Sequence, residues 1–144
     1  MKKGLLICFL LFNGLVVFAQ KPGITKDSLS ISKELSIHKY MKVDDICITF
    51  SKVKQDSRCP KEVNCVRAGE ANLEVIVQES SKKAKTVMLT IDASGVVTER
   101  NNLIAETSDN KIYGFSLTPY PVANRPIATE NYILEIVIKP KPRD

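Results

Sequence analysis

Asp56-Ser57-Arg58-Cys59-Pro60-Lys61-Glu62-Val63-Asn64-Cys65-Val66-Arg67-Ala68-Gly69-Glu70-Ala71 stands between two runs of alternating apolar residues, and its reading decides the fold. Ahead of it, Ile46, Ile48 and Phe50 alternate with Cys47, Thr49 and Ser51. Behind it, Ala71, Leu73, Val75 and Val77 alternate with Asn72, Glu74 and Gln78. A period of two rich in β-branched residues sets one face of a strand against a core and the other toward water. The quoted stretch is therefore a loop joining two strands.

The same period recurs outward in both directions. Leu29, Ile31, Leu35 and Ile37 fall on odd positions, as on a half-buried strand, and Val87, Leu89 and Ile91 alternate with Thr86, Met88 and Thr90. The polar connection 79–85 is short enough for an antiparallel hairpin. Asp92-Ala93-Ser94-Gly95 reads as a turn, and short apolar segments at 96–97 and 103–104 flank a polar corner at 99–102. Tyr113, Phe115 and Leu117 predict one face of a further strand, ended by Pro119-Tyr120-Pro121 because proline lacks a ladder donor. Residues 132–138 are apolar at every position but Glu135, which fits an interior strand covered on both sides. No stretch of 12 residues carries a helical period. The expected fold is all-β: an antiparallel β-sandwich of about seven strands, with a small β-barrel as the alternative, since sequence does not show whether the first and last strands pair.

The amino terminus sets the compartment in which this domain is expected to work. Lys2 and Lys3 precede an apolar run at 5–18, and Val17-Phe18-Ala19 resembles a cleavage site, so residues 1–19 read as a signal peptide. The run is shorter than the roughly 20 residues a spanning helix needs, and Cys8 lies inside it rather than at a lipid-attachment position. Cleavage after Ala19 removes 19 of 144 residues and leaves 125, enough for one domain with a core of its own. Residues 20–28, with their Pro-Gly pair, read as a linker to a single domain at 29–144. The expected localisation is exported, periplasmic or extracellular, with no transmembrane segment after cleavage.

Loss of Lys2 and Lys3 lowers the formal charge from +5 to +3, scattered along the chain, so nucleic acid is not an expected partner. The basic runs at 82–85 and 139–143 read as a solvated turn and a frayed end. Three cysteines remain in the mature chain. In an oxidising compartment the Cys-x5-Cys spacing of Cys59 and Cys65 predicts a local disulfide, worth roughly 2 kcal/mol by chain entropy, which shapes the loop more than it holds the domain. Cys47 is left over and reads as a buried thiol. The sharper alternative joins it to His38 and Met41 as soft ligands for copper or zinc. His38 is the only histidine, and no nucleophile, zinc or phosphate-loop motif accompanies it, so no catalytic residues and no cofactor are implied.

Asp56 and Ser57 are good acceptors for turn amides, Pro60 presets its backbone, and Gly69 suits a positive φ or a close approach. Arg58 and Glu70 bracket the loop, either paired across its base or as two independent exposed charges. The candidate binding loop comprises Asp56, Arg58, Lys61, Glu62, Arg67 and Glu70.

Asp56-Ser57-Arg58-Cys59-Pro60, Cys65-Val66 and Ala68-Gly69-Glu70-Ala71 together resemble the pattern Asp-Ser-Arg-Cys-Pro…Cys-Val-Trp-Ala-Gly-Glu-Ala of a group of small bacterial exported β-proteins with no established activity. Leu117-Thr118-Pro119-Tyr120-Pro121 and the apolar strand after Tyr132 are similar to that group as well. Arg67 stands where the pattern has Trp. The resemblance implies a fold and a compartment rather than a reaction. The expectation is thus a non-enzymatic exported module that binds a protein or cell-envelope component through a face or the stapled loop. A periplasmic metal-handling protein is the alternative, and an enzyme of unrecognised type the third reading.

Overall fold

The structure, a computed structural model, describes residues 23–142. The signal peptide, its cleavage point and residues 20–22 of the expected linker lie outside the described residues. Eight strands follow one another: β1 (Ile31–Ser36), β2 (Tyr40–Val43), β3 (Ile46–Asp56), β4 (Glu70–Glu79), β5 (Lys85–Asp92), β6 (Leu103–Glu106), β7 (Asn110–Thr118) and β8 (Ile133–Pro140). A single helical turn, α1 (Glu99–Asn102), fills the polar corner between β5 and β6. The strands form two antiparallel sheets, β1-β8-β7-β6 and β2-β3-β4-β5. The first and last strands do pair, Leu35 opposite Leu134, but inside one four-stranded sheet, so the fold is a sandwich and not a closed barrel.

The core is what the alternation demands. Ile46, Ile48, Phe50, Leu73, Val75, Val77, Leu89 and Ile91 of one sheet meet Leu35, Ile104, Ile112, Leu117, Leu134, Ile136 and Ile138 of the other. Inward positions two apart give each strand a continuous apolar face, and burial of such faces is the main favourable term in folding. Leu29 and Ile31 break the expected pattern. They are 72% and 55% exposed, because Leu29 precedes β1, β1 is an edge strand, and only its later part with Leu35, followed by Ile37 in the turn beyond it, lies over the core.

Strand β7 departs from its expected phase. Ile112 and Leu117, five residues apart, both face the core, while Tyr113 is buried outside it. A bulge between Gly114 and Ser116 inserts a residue and flips the alternation, so Tyr113, Phe115 and Leu117 do not share one face. Gly114 lies under the facing sheet, where an added Cβ would stand 2.8 Å from the Leu89 side chain.

Within the described part of the expected linker, residues 24–27 are instead held against the domain. Ile24 N–H donates to Val97 O at 2.7 Å, Lys26 Nζ pairs with Glu135 and lies 4.6 Å from the Phe115 ring centre, and Asp27 pairs with Lys139 at 2.8 Å. On β8 the inward Leu134, Ile136 and Ile138 are joined by a buried Val137 of the opposite face, as expected for a strand covered on both sides. Glu135 takes hydrogen bonds from Lys26, Ser32 and Ser116. Burial favours its neutral form, but those donors outweigh it and hold its carboxyl below the ordinary range.

Two buried polar side chains, Asn102 and Arg58, tie the sheets together. Asn102, 1% exposed, accepts from Thr98 N–H at 2.8 Å and donates at 3.1 Å to both Thr90 O on β5 and Gly114 O on β7. Arg58 does the corresponding work at the end of the sandwich that carries the stapled loop.

Candidate functional site

The loop between β3 and β4 is closed in layers. At its base Ser57 N–H donates to Glu70 O at 2.8 Å and Cys59 N–H to Ala68 O at 2.7 Å, continuing the ladder beyond the strands. Above them the Sγ atoms of Cys59 and Cys65 stand 2.06 Å apart with their Cα atoms at 6.0 Å, the local disulfide that the spacing predicts. Lys61 N–H donates to Pro121 O at 2.9 Å and so fastens one side of the loop to the segment after β7.

Gly69 makes the base possible. Its φ is +75°, and a Cβ built there would lie 2.0 Å from Ser57 O, a backbone atom that cannot rotate away. Gly95 has a similar φ of +80° with open space around it. Gly69→Ala is therefore expected to cost about 1–3 kcal/mol, the backbone strain plus displacement of the ladder. Gly95→Ala bears the strain alone, so equal losses for the two variants in urea titrations would overturn the close-approach account.

Arg58 is not an exposed loop charge. It is 4% exposed, and its fork grips Asp56 through Nε at 2.8 Å and Nη2 at 2.6 Å. Nη1 donates to Leu117 O at 2.5 Å and Nη2 to Pro119 O at 3.0 Å, at the end of β7 in the opposite sheet. The guanidinium also lies 5.0 Å from the Tyr120 ring centre. Tyr132 OH completes the cluster with a 3.1 Å hydrogen bond to Asp56 Oδ2. Neither reading of Arg58 with Glu70 holds: Glu70 accepts instead from Asn72 Nδ2 at 3.3 Å. Asp56 and Arg58 form the platform of the loop, because a guanidinium with this many fixed acceptors is held inside by the carbonyls it satisfies.

Burial acts to raise the Asp56 carboxyl, yet the Arg58 hydrogen bonds and charge, helped by Tyr132, hold it below the ordinary value. Burial and the Asp56 charge push the Tyr132 hydroxyl up. A carboxylate with a depressed folded pKa contributes stability that is present above its unfolded value near 3.9 and is lost as pH falls through the folded one. The melting temperature should therefore stay level at neutral pH and drop steeply only below about pH 4. Asp56→Asn should flatten part of that acid limb; an unchanged limb would show that the pair contributes no linkage.

Lys61, Glu62, Arg67 and Glu70 are exposed, and they alone of the six expected binding residues present their side chains to solvent. Val66 is fully exposed and Val63 about half so, two apolar side chains that charge patterning did not single out. Beside the loop runs an open groove of about 420 Å³, walled by Pro60, Pro121, Val122, Pro126, Ile127 and Tyr132, with Arg125 at its rim. The partners of Asp56 and Arg58 lie about 60 and 76 residues away in sequence. The only hint of them was the second patch of the resemblance, residues 117–121 and Tyr132.

The soft-ligand trio is not brought together. Met41 pairs with Ile48 and packs against the core, whereas Cys47 pairs with Lys42 on the opposite face of the sheet. Cys47 is half-buried rather than buried, because that face is the solvent side of β3. His38 sits in the exposed turn that carries the chain from one sheet to the other, with φ +61° and its N–H on Phe50 O, so it is not a strand residue. Among the described residues, no group of three or more His, Cys, Asp or Glu is placed to hold a metal ion, and no helix is long and apolar enough to cross a membrane. No family model, curated protein or solved structure matches the chain.

Proposed function

We propose that the protein is a non-enzymatic exported β-sandwich, periplasmic or extracellular, that binds a protein or cell-envelope component through the stapled loop. The observation that carries this reading is the fully exposed Val66 on a loop held by a disulfide, its ladder and a buried arginine. A lone exposed valine means little on a mobile loop. On a fixed one it presents apolar surface whose ordering cost is already met before a partner arrives, which is how rigid loops gain affinity. The exposed Lys61, Glu62, Arg67 and Glu70 give the same loop charges of both signs, which select among partners by complementarity. Export is supported by the Cys59–Cys65 disulfide, which persists in oxidising compartments, and by the resemblance of the loop motif to exported β-proteins.

The test is a comparison between loop variants. Mature chain bearing Val66→Asp, or Lys61→Glu with Arg67→Glu, should lose a specific envelope partner that the unaltered chain retains, with unchanged circular dichroism and melting. A partner held equally by all three would exclude the loop as the binding element.

A further inference from the structure

We infer that the Cys59–Cys65 disulfide is a redox switch on the loop tip: a dithiol reductant opens it, and residues 62–67 lose their order while the domain stays folded. This rests on the reading of the loop as a binding element and gives that element its regulation. The tip has few other tethers. Lys61 N–H is held by Pro121 O at 2.9 Å and Val63 N–H by Pro60 O at 3.3 Å, and among the described residues Asn64, Val66 and Arg67 make no hydrogen bond or ion pair. The base is built differently. Ser57 and Cys59 are laddered to Glu70 and Ala68 through the backbone, and Arg58 grips Asp56, Leu117 O and Pro119 O, so nothing that fixes the base passes through the S–S bond.

Cys65 is exposed and Cys59 half-buried, so the ring is open to attack at Cys65 Sγ. A thiolate of the dithiol attacks that sulfur, the S–S bond breaks, and Cys59 departs as a thiolate that takes up a proton. The reductant's second thiolate then displaces Cys65 from the mixed disulfide. Two electrons and the two thiol protons end on the cysteine pair, and the reductant is left as a disulfide. Cys47 stays out of the exchange: it stands near the start of β3 and the loop leaves its end, roughly 30 Å away at about 3.3 Å per residue. The pair therefore cycles between two states without scrambling. In the oxidised state Val66 is presented with its ordering cost already met; in the reduced state a partner must meet that cost, and binding weakens.

The test is to treat the folded mature chain with dithiothreitol, without denaturant, and to compare it with the oxidised chain by circular dichroism and by backbone order parameters from nuclear magnetic resonance. Reduction in the native state is expected, with circular dichroism unchanged. Order parameters of residues 62–67 should fall from about 0.8 to below about 0.6, those of 57–59 and 68–70 should stay as they were, and reoxidation should restore the tip. Cys59→Ser with Cys65→Ser should reproduce the reduced state. Retention of an envelope component that Val66→Asp abolishes should fall at least tenfold on reduction. A disulfide that yields only after unfolding, a tip as ordered when reduced as when oxidised, or a reduced domain that loses its circular dichroism overturns the inference. So does a Val66-dependent component retained equally by both forms, an outcome that leaves the loop its binding role. If no component depends on Val66, the binding reading fails instead, and the order parameters and native-state reduction decide the switch on their own.

Discussion

Arg58→Ala should lower the unfolding free energy by about 3–5 kcal/mol, the range for breaking a buried pair by removal of one partner. The change strips Asp56 of its counter-ion while leaving its carboxylate half-buried against Tyr132, and it leaves Leu117 O and Pro119 O without their donor. For a domain of this size the urea midpoint falls by roughly 1.5–3 M at an ordinary slope. Arg58→Lys separates charge from shape. A lysine keeps the cation but cannot fork onto Asp56 and reach two carbonyls together, so it should recover only part of the loss. With no tryptophan in the chain, far-UV circular dichroism or tyrosine fluorescence is the readout. A loss under about 1 kcal/mol would return Arg58 to the class of surface charges and undo the platform reading.

The second large effect is expected at Asn102, in the middle of the sandwich. Asn102→Ala removes the donor to Thr90 O and Gly114 O and the acceptor for Thr98 N–H, leaving Gly114 O unpaired in the interior and the other two unpaired in half-buried positions. At about 1–3 kcal/mol for each stranded group, partly relieved by relaxation, the loss should reach about 3 kcal/mol. Asn102→Asp sharpens the test by its sign. An ionised carboxylate keeps the acceptor but turns negative oxygen on two carbonyls, so it should be less stable than the alanine variant at neutral pH. Its folded pKa is raised, so stability is regained as pH falls through that value and the group protonates. An aspartate variant that loses stability on acidification as the parent does would show that Asn102 does not bridge the two sheets.

On the proposed reading of the loop as a binding element, Arg58 also bears on binding. The loop is attached to the facing sheet through Arg58, not merely through its own strands, so loosening Arg58 should impair binding even though the side chain touches no partner. On that proposal, substitution of the exposed Lys61, Glu62, Arg67 or Val66 is expected to change binding without changing stability. That division is testable with the same two measurements throughout.

Alternation at Ile46, Ile48 and Phe50, and again from Ala71 to Val77, was sufficient by itself for the all-β class, the antiparallel pairing about the stapled loop and the inward set of β3, β4 and β5, because a strand sorts side chains to two faces by local geometry alone. The Cys59–Cys65 pairing was equally local. What only the tertiary structure decided is whatever depends on the element lying opposite. Tyr113 and Leu117 part faces because a bulge forms where Gly114 meets Leu89 of the other sheet. Asn102 is buried because it finds carbonyls on two sheets at once, and residues 24–27 belong to the domain because β7 and β8 hold partners for them. Arg58 carries the same lesson to the site: a charged residue in a loop is exposed by default, and only acceptors brought from β7, far along the chain, make its burial favourable.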